Sequence, residues 1–243
     1  MTKVGVVTQA RTTSTRLPGK ILLTAGGRTM LDHHLDRLGA AGLDVYVATT
    51  ENDADDPIVA LADDRGLPVW RGSEDDVLDR FAGCVRAHGL DTVVRVTSDC
   101  PLIDGALVSE AVELFEHEAD PWAYVSNGIH RTFPRGMDFE VFSAEALLEA
   151  DALAAAPAHR EHVTPWLYLD LSGRTTIIDV TRQVDASAYR ITLDTAEDLR
   201  LIRSLIEDFD AHTLAVDEII AVLDAYPDLA RINAHVEQKK LGR

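Results

Sequence analysis

The chain has 243 residues, 46% of them hydrophobic and 26% charged, enough to bury a full core in one large α/β domain. Its net charge is −18, and a surface that acidic disfavours DNA, RNA and anionic lipid as partners. No stretch approaches the roughly 18 apolar residues of a membrane span, and the N-terminus lacks a signal-peptide core, so a cytoplasmic protein is expected. In chain order, residues 4–8 form a β-branched run that predicts a strand, followed by a polar loop to Lys20. Leu31, Leu35 and Leu38 mark one face of a helix, and residues 45–50 form a second strand. Pro57 opens a short helix. Residues 69–71 read as a strand, Val77, Phe81, Cys84 and Val85 as a helix, and residues 92–97 as another strand. This alternation predicts an α/β fold with a mostly parallel, Rossmann-like sheet covered on both faces. The second half is less regular. Strands are expected at 124–127, 137–142 and 175–180, and helices at 144–155, 159–169, 196–209 and 216–226.

Charge is distributed unevenly. Residues 1–31 contain five basic residues (Lys3, Arg11, Arg16, Lys20 and Arg28) and no acid; the rest contains 18 basic residues against all 41 acids. A positive island in so acidic a chain suits a small anion bound at one site. In parallel sheets ligands sit beyond the carboxyl ends of the strands, where two polar loops fall, 10–20 and 98–104.

Three motifs carry candidate chemistry. The first is Gln9-Ala10-Arg11-Thr12-Thr13-Ser14-Thr15-Arg16-Leu17-Pro18-Gly19-Lys20. Its two arginines and lysine, with hydroxyls between them, match a polyphosphate's need for charge-assisted bonds, and a tight loop can add backbone N–H groups. It is not a Walker A loop. The second is Arg95-Val96-Thr97-Ser98-Asp99-Cys100-Pro101-Leu102-Ile103-Asp104, a carboxylate just past a buried strand, where a hard divalent cation would be held against phosphates. Asp104 reads as the cap of the next helix. The third is Arg190-Ile191-Thr192-Leu193-Asp194-Thr195-Ala196-Glu197-Asp198-Leu199, a short apolar strand delivering an acid. Either Thr195 caps the following helix with Asp198 and leaves Asp194 free, or Asp194 is itself the cap. Elsewhere, one ring of the His33–His34 pair is expected to face solvent. His159 and His162 lack a third ligand for zinc, and Cys84, Trp70, Trp122 and Trp166 read as core.

Together the motifs resemble the cytidylyltransferases that activate acidic sugars, most closely the SpsF type of spore-coat polysaccharide biosynthesis, related to CMP-ketodeoxyoctonate and CMP-sialate synthetases. The likeness extends through Val47-Ala48-Thr49-Thr50, Arg71-Gly72-Ser73-Glu74-Asp75-Asp76-Val77-Leu78-Asp79-Arg80, Pro134-Arg135-Gly136-Met137-Asp138-Phe139-Glu140-Val141-Phe142 and Arg160-Glu161-His162-Val163-Thr164-Pro165, roughly residues 3–205. It implies a GT-A-like nucleotide-diphospho-sugar transferase fold in one domain: a nucleotide-binding half over 1–120, an acceptor-binding and dimerisation part over 121–195, and C-terminal helices over 196–243. It further implies transfer of CMP from CTP to a small acidic or sugar-like acceptor, with release of pyrophosphate. Lys20, Arg11 and Asp99 would be catalytic, and Ala10, Arg11, Ser14, Arg16, Lys20, Arg71, Arg80, Thr97 and Ser98 would bind the nucleotide. Arg135, Asp138, Glu140 and His162 would face the acceptor, and Asp99 and Asp194 would hold Mg²⁺. Two such facing carboxylates should repel and raise one pKa. Where the family usually has Gly, this chain has Thr13, which cannot cheaply take a positive φ, so a different approach of the loop is expected. A homodimer is also implied, with Trp122, Tyr124, Phe133, Phe139, Phe142, Trp166 and Tyr168 as the aromatic content of its interface region. The alternatives are a glycosyltransferase of the same fold, disfavoured because Ser98-Asp99-Cys100 lacks a second acid, and a non-catalytic nucleotide-binding protein, disfavoured by Lys20, Asp99 and Asp194 together.

Overall fold

The computed structural model describes residues 2–238. The first strands are β1 (Val4–Gln9), β4 (Val45–Thr50), β5 (Val69–Gly72) and β6 (Thr92–Thr97), with β2 (Thr24–Ala25) and β3 (Arg28–Thr29) forming a separate small hairpin. The second half adds β7 (Ala123–Ser126), β8 (Glu140–Ser143) and β9 (Thr176–Asp179). The seven-stranded sheet has the order β5-β4-β1-β6-β8-β7-β9. Its pairings are parallel except those of β8, which runs antiparallel to both β6 and β7.

The central strands are buried on both faces, which is why they read as continuous β-branched runs rather than alternating ones. Val6, Val47, Val94 and Val96 point to one side, under α1 (Met30–Ala40), α2 (Asp56–Asp64) and α4 (Gly105–Glu118). Val7, Tyr46, Ala48 and Val93 point to the other, under α3 (Val77–His88) and α5 (Ala144–Leu153). A third cluster joins Met30, Leu102, Met137, Ile191 and Leu193 to α8 (Ala196–Phe209) and α9 (Val216–Ala225), so the C-terminal helices pack against the carboxyl-edge loops. Asp104 caps α4 through Oδ1, 3.0 Å from the Ala106 N–H, while Oδ2 takes the Val216 N–H at 2.7 Å and so fixes the start of α9.

Three expectations change. The strand expected over 137–142 shortens to Glu140–Ser143 because Pro134-Arg135-Gly136 makes a turn; Gly136 has φ 104°, and a Cβ there would lie 2.7 Å from the Ile191 carbonyl. The helix expected over 159–169 splits into α6 (Pro157–His162) and α7 (Pro165–Tyr168), because Val163 takes φ 70° and Pro165 removes a helical N–H. The 190–193 segment is no ladder strand but touches Arg135 through one isolated bridge at Arg190. The aromatics of 122–168 fill this chain's own interior: Tyr124, Phe133, Phe139 and Phe142 are buried, and Trp122, Trp166 and Tyr168 pack against that core. The hairpin turning at Gly26-Gly27 and the short α10 (Pro227–Arg231) were not expected. Among the described residues, no helix is long and apolar enough to cross a membrane. The last five residues of the expected C-terminal part lie outside the described residues.

Candidate active site

The basic loop leaves β1 at Gln9. Ala10 is buried and extends the sheet by one bond, its N–H 3.1 Å from the Ala48 carbonyl. The loop is closed at its neck by the Gly19 N–H, 2.8 Å from the Thr12 carbonyl. Thr12 donates both its N–H and its hydroxyl to Asp55 Oδ1 at 2.7 Å, and the buried Asp55 takes the Thr50 hydroxyl on its other oxygen at 2.5 Å. Burial would raise the Asp55 pKa, but the Thr50 and Thr12 donors outweigh it and hold the carboxyl below its usual range. Thr13 donates its hydroxyl to Glu74, which also accepts from Asn52 Nδ2 at 2.6 Å and pairs with Arg11 at 3.5 Å. The positive-φ residues other than glycine, among those described, are Ala119, Val163, Asp170 and Asp210, so Thr13 sits without backbone strain. Its hydroxyl anchor replaces the flexibility a glycine would supply. Ser14 is half-buried on the loop. Gly19, at φ 64°, turns the chain into a 3-10 turn over Lys20–Leu22 and sends Lys20 back inward.

Lys20 is the centre of the site. Its Nζ lies 2.8 Å from Asp99 Oδ2 and 2.8 Å from Asp194 Oδ1, so residues 174 positions apart at the extreme converge on one ammonium. Because each oxygen touches the same nitrogen, the two are separated by less than twice that distance. Asp194 Oδ2 takes Arg16 Nη2 at 2.9 Å and Arg190 Nη2 at 2.6 Å. Burial alone would lower the Lys20 pKa, yet Asp99 and Asp194 together raise it. Burial alone would raise that of Asp99, yet Lys20 pulls it below the usual carboxylate range. At Asp99 this runs against the expected repulsion: the two carboxylates face a shared cation, and its charge outweighs burial there.

Local structure fixes both acids. Thr97 ends β6, its carbonyl takes the Cys100 N–H at 3.1 Å, and its hydroxyl lies 3.4 Å from Cys100 Sγ. Ser98 is buried and donates its N–H to the Gln9 carbonyl at 3.1 Å. The Asp99 carbonyl accepts from Leu193 N at 2.7 Å and from the Thr192 hydroxyl at 3.2 Å, which ties the two acid-bearing loops together. Thr195 and Asp198 form the capping box of α8, so Asp194 is not the cap and its side chain is free to meet the cations.

Both histidines of the pair are buried, which corrects the expectation that one ring faces solvent. His33 Nε2 lies 3.0 Å from the Ala25 carbonyl. His34 spans the sheet edge, with Nδ1 donating to the Cys100 carbonyl at 2.9 Å and Nε2 accepting from the Thr8 hydroxyl at 2.9 Å. Burial pushes its pKa down to about 4, so the ring is neutral at pH 7.

The remaining predicted residues divide into two groups around this centre. Arg80 is buried in α3 with Nη1 2.5 Å from the Ser73 carbonyl; burial and then the charge of Arg11 push its pKa down to about 10. Arg71 turns to the β4–α2 connection, bonding the Thr50 and Asn52 carbonyls at 2.8 Å and Asp56 at 2.6 Å. On the other side Asp138 pairs with Arg131. Burial, then the charge of Arg131, lowers the pKa of Arg135. Glu140 pairs with Arg95 and accepts the hydroxyls of Tyr124 at 2.5 Å and Thr164 at 2.7 Å. His162 closes α6, half-buried. Asp55, Glu74, His34, Arg95 and Arg190 support the site without having been singled out for it. The hydroxyl-rich loop signalled a need for acceptors, but acids at 51, 53, 55, 56, 74, 75 and 76 offered too many choices.

A family model described as Cytidylyltransferase matches residues 6–240. An uncharacterized protein of Methanocaldococcus jannaschii is 36% identical over 97% of this chain and 96% of its own. The spore coat polysaccharide biosynthesis protein SpsF of Bacillus subtilis is 30% identical over 95% of this chain and 98% of its own. A cytidylyltransferase structure from Leptospira borgpetersenii superposes with a TM-score of 0.91 at 33% identity, covering 99% of this chain and 100% of that one. A CMP:2-keto-3-deoxy-manno-octonic acid synthetase complexed with CTP shares the fold at 20% identity and a TM-score of 0.58, over 84% of this chain and 98% of that one. With its mostly parallel sheet of the nucleotide-diphospho-sugar transferase type and a match spanning nearly its whole length, the chain belongs to the cytidylyltransferase family, SpsF type.

Proposed function

We propose that the protein transfers CMP from CTP to a small acidic or sugar-like acceptor and releases pyrophosphate. The observation that carries this is the Lys20 ammonium, held between Asp99 and Asp194 at the carboxyl edge of the sheet. Lys20 and Arg16 face two carboxylates, a neutral set of four whose cations come from a loop. An incoming triphosphate competes for those cations, and Arg11, half-exposed beside Glu74, joins them. Ala10, Ser14, Thr97 and Ser98 line the approach, Arg80 adds charge from α3, and Arg71 braces the neighbouring loop. Arg135, Asp138 and His162 lie on the acceptor side, with Glu140 acting through Arg95, whose Nη2 reaches Gln9 at 3.2 Å.

An acceptor oxygen attacks the α-phosphorus, and the bond to the pyrophosphate oxygen breaks. The protein positions the reactants and neutralises charge growing on the non-bridging oxygens through Arg11, Arg16 and Lys20. An acceptor that is already an ionised phosphate or phosphonate needs no general base. Asp99 and Asp194, whose carboxyl oxygens converge on one ammonium, would hold Mg²⁺, which takes one or two protein carboxylates plus phosphate oxygens and water. When bound, the ion would polarise the phosphoryl group. The homodimer is carried forward on exposed Leu169, Leu171 and Ile177 near the β9 edge, and light scattering at micromolar concentration tests it.

Mixing the protein with CTP, Mg²⁺ and a panel of sugar acids, sugar phosphates and phosphonates should release pyrophosphate with at least one acceptor and with CTP in preference to ATP, GTP and UTP. Release by none of them would overturn the proposal.

A further inference from the structure

Asp194 belongs to no helix or strand. Its carboxylate is placed by side chains from three directions, and two of them, Lys20 and Arg16, are the cations a triphosphate would draw away. One partner then stays, Arg190, whose Nη2 donates to Asp194 Oδ2 at 2.6 Å.

Arg190 is itself fixed on every side. Its Nε meets Asp198 Oδ1 at 2.9 Å, its Nη2 meets Asp198 Oδ2 at 3.1 Å, and its Nη1 meets Gln238 Oε1 at 2.5 Å. Asp198, fully buried, also accepts the backbone N–H groups of Asp194 at 2.9 Å and Thr195 at 3.0 Å. The last contributor is Asn233, 2% exposed, whose Nδ2 donates to Asp198 Oδ1 at 2.7 Å and to the Arg190 carbonyl at 2.9 Å. A tail that merely closed the core would present apolar side chains. This one directs a buried amide and a second amide oxygen at the Arg190–Asp198 pair.

We infer that residues 232–238, just after α10, are part of the active-site frame, and that Asn233, with Gln238, is a positioning residue. Through Arg190 it holds the Asp194 carboxylate in place when Lys20 and Arg16 turn to phosphate. A buried amide donor is costly to leave out because the acceptors it served stay desolvated. Removing it loosens Arg190 and the 191–195 backbone before it loosens the sheet. The consequence for turnover rests on the function proposed above; the placement of the loop does not.

The test uses the full chain carrying Asn233→Ala, and separately Gln238→Ala and Gln238→Glu. Amide hydrogen exchange without any ligand should quicken by about tenfold at Asp194 and Thr195 in Asn233→Ala, with the β1 and β6 amides unchanged. With CTP and a productive acceptor, kcat should fall by about tenfold while KM for CTP moves by less than about threefold. Gln238→Ala, the safer variant for folding, should show the same pattern at a smaller size, and Gln238→Glu should restore it by keeping the acceptor for Arg190. Unchanged exchange at 194–195 in both alanine variants, or exchange that rises equally in β1, overturns the inference. Absence of turnover in the wild-type protein counts against the proposed function alone, because the exchange result still decides the frame.

Discussion

Two clusters of opposite charge lie a few residues apart in this molecule and are built differently. In one, Arg95 of β6 stands directly across the antiparallel ladder from Glu140 of β8, and Tyr124 and Thr164 donate their hydroxyls to the same carboxylate. In the other, Lys20 and Arg16 reach Asp99 and Asp194 from a loop and the 3-10 turn that ends it, and none of the four groups lies on a strand. Sheet register fixes the first pair as part of the backbone pattern, whereas loop cations can trade one anion for another without moving a strand. An ion pair written into a ladder is architecture; one closed by a loop is available to a ligand.

The largest effect should come from breaking the ladder pair. Glu140→Ala leaves the half-buried Arg95 with its main partner gone, and should cost about 3 kcal/mol of stability in denaturant unfolding. Next comes the floor beneath the loop cluster. His34 titrates at about 4 in the fold against an ordinary 6.5, so the unfolded chain binds a proton first as pH falls. Its contribution is therefore intact above pH 6.5 and declines down to about pH 4, about 3 kcal/mol in all. Unfolding curves at pH 7 and 5 should show about 2 kcal/mol of that loss in the wild type and not in His34→Gln. The loop cluster itself should respond in ligand affinity more than in fold. Lys20→Ala and Arg16→Ala should each weaken CTP binding by about 1.5–3 kcal/mol, read by calorimetry, because each removes a charge-assisted contact. The comparison fails if Glu140→Ala proves mild and Lys20→Ala unfolds the chain.

The sequence displays these two clusters unequally. Strands β1, β4 and β6 are legible because burial on both faces makes them β-branched, largely apolar runs, and the basic loop is legible because no acid interrupts residues 1–31. The second half is harder, since its decisive features are single backbone conformations, Val163 at φ 70° and Gly136 at φ 104°, that periodicity does not register. Arg95 reads as a strand residue of no distinction until β8 is placed across from it. The roles of Arg190, Asn233 and Gln238 depend on contacts spanning 35 to 48 residues, with no local motif to announce them.

The smallest expected effect separates two neighbouring residues, and so tests whether position or chemistry makes the loop cluster. Thr195 and Asp194 both precede α8, and either could serve as its cap by composition. In the structure Thr195 takes the Asp198 N–H at 3.3 Å and Asp198 returns a bond from the Thr195 N–H at 3.0 Å, which completes the box. Thr195→Ala should therefore cost about 1 kcal/mol of stability and leave turnover close to wild type. Asp194→Asn keeps the shape of the side chain and the cap intact, but removes the charge that faces Lys20, Arg16 and Arg190. It should abolish pyrophosphate release while the protein still unfolds as a single cooperative unit. If the two variants exchanged these behaviours, Asp194 would be a helix-end residue, and the site would have to be rebuilt around Asp99 alone.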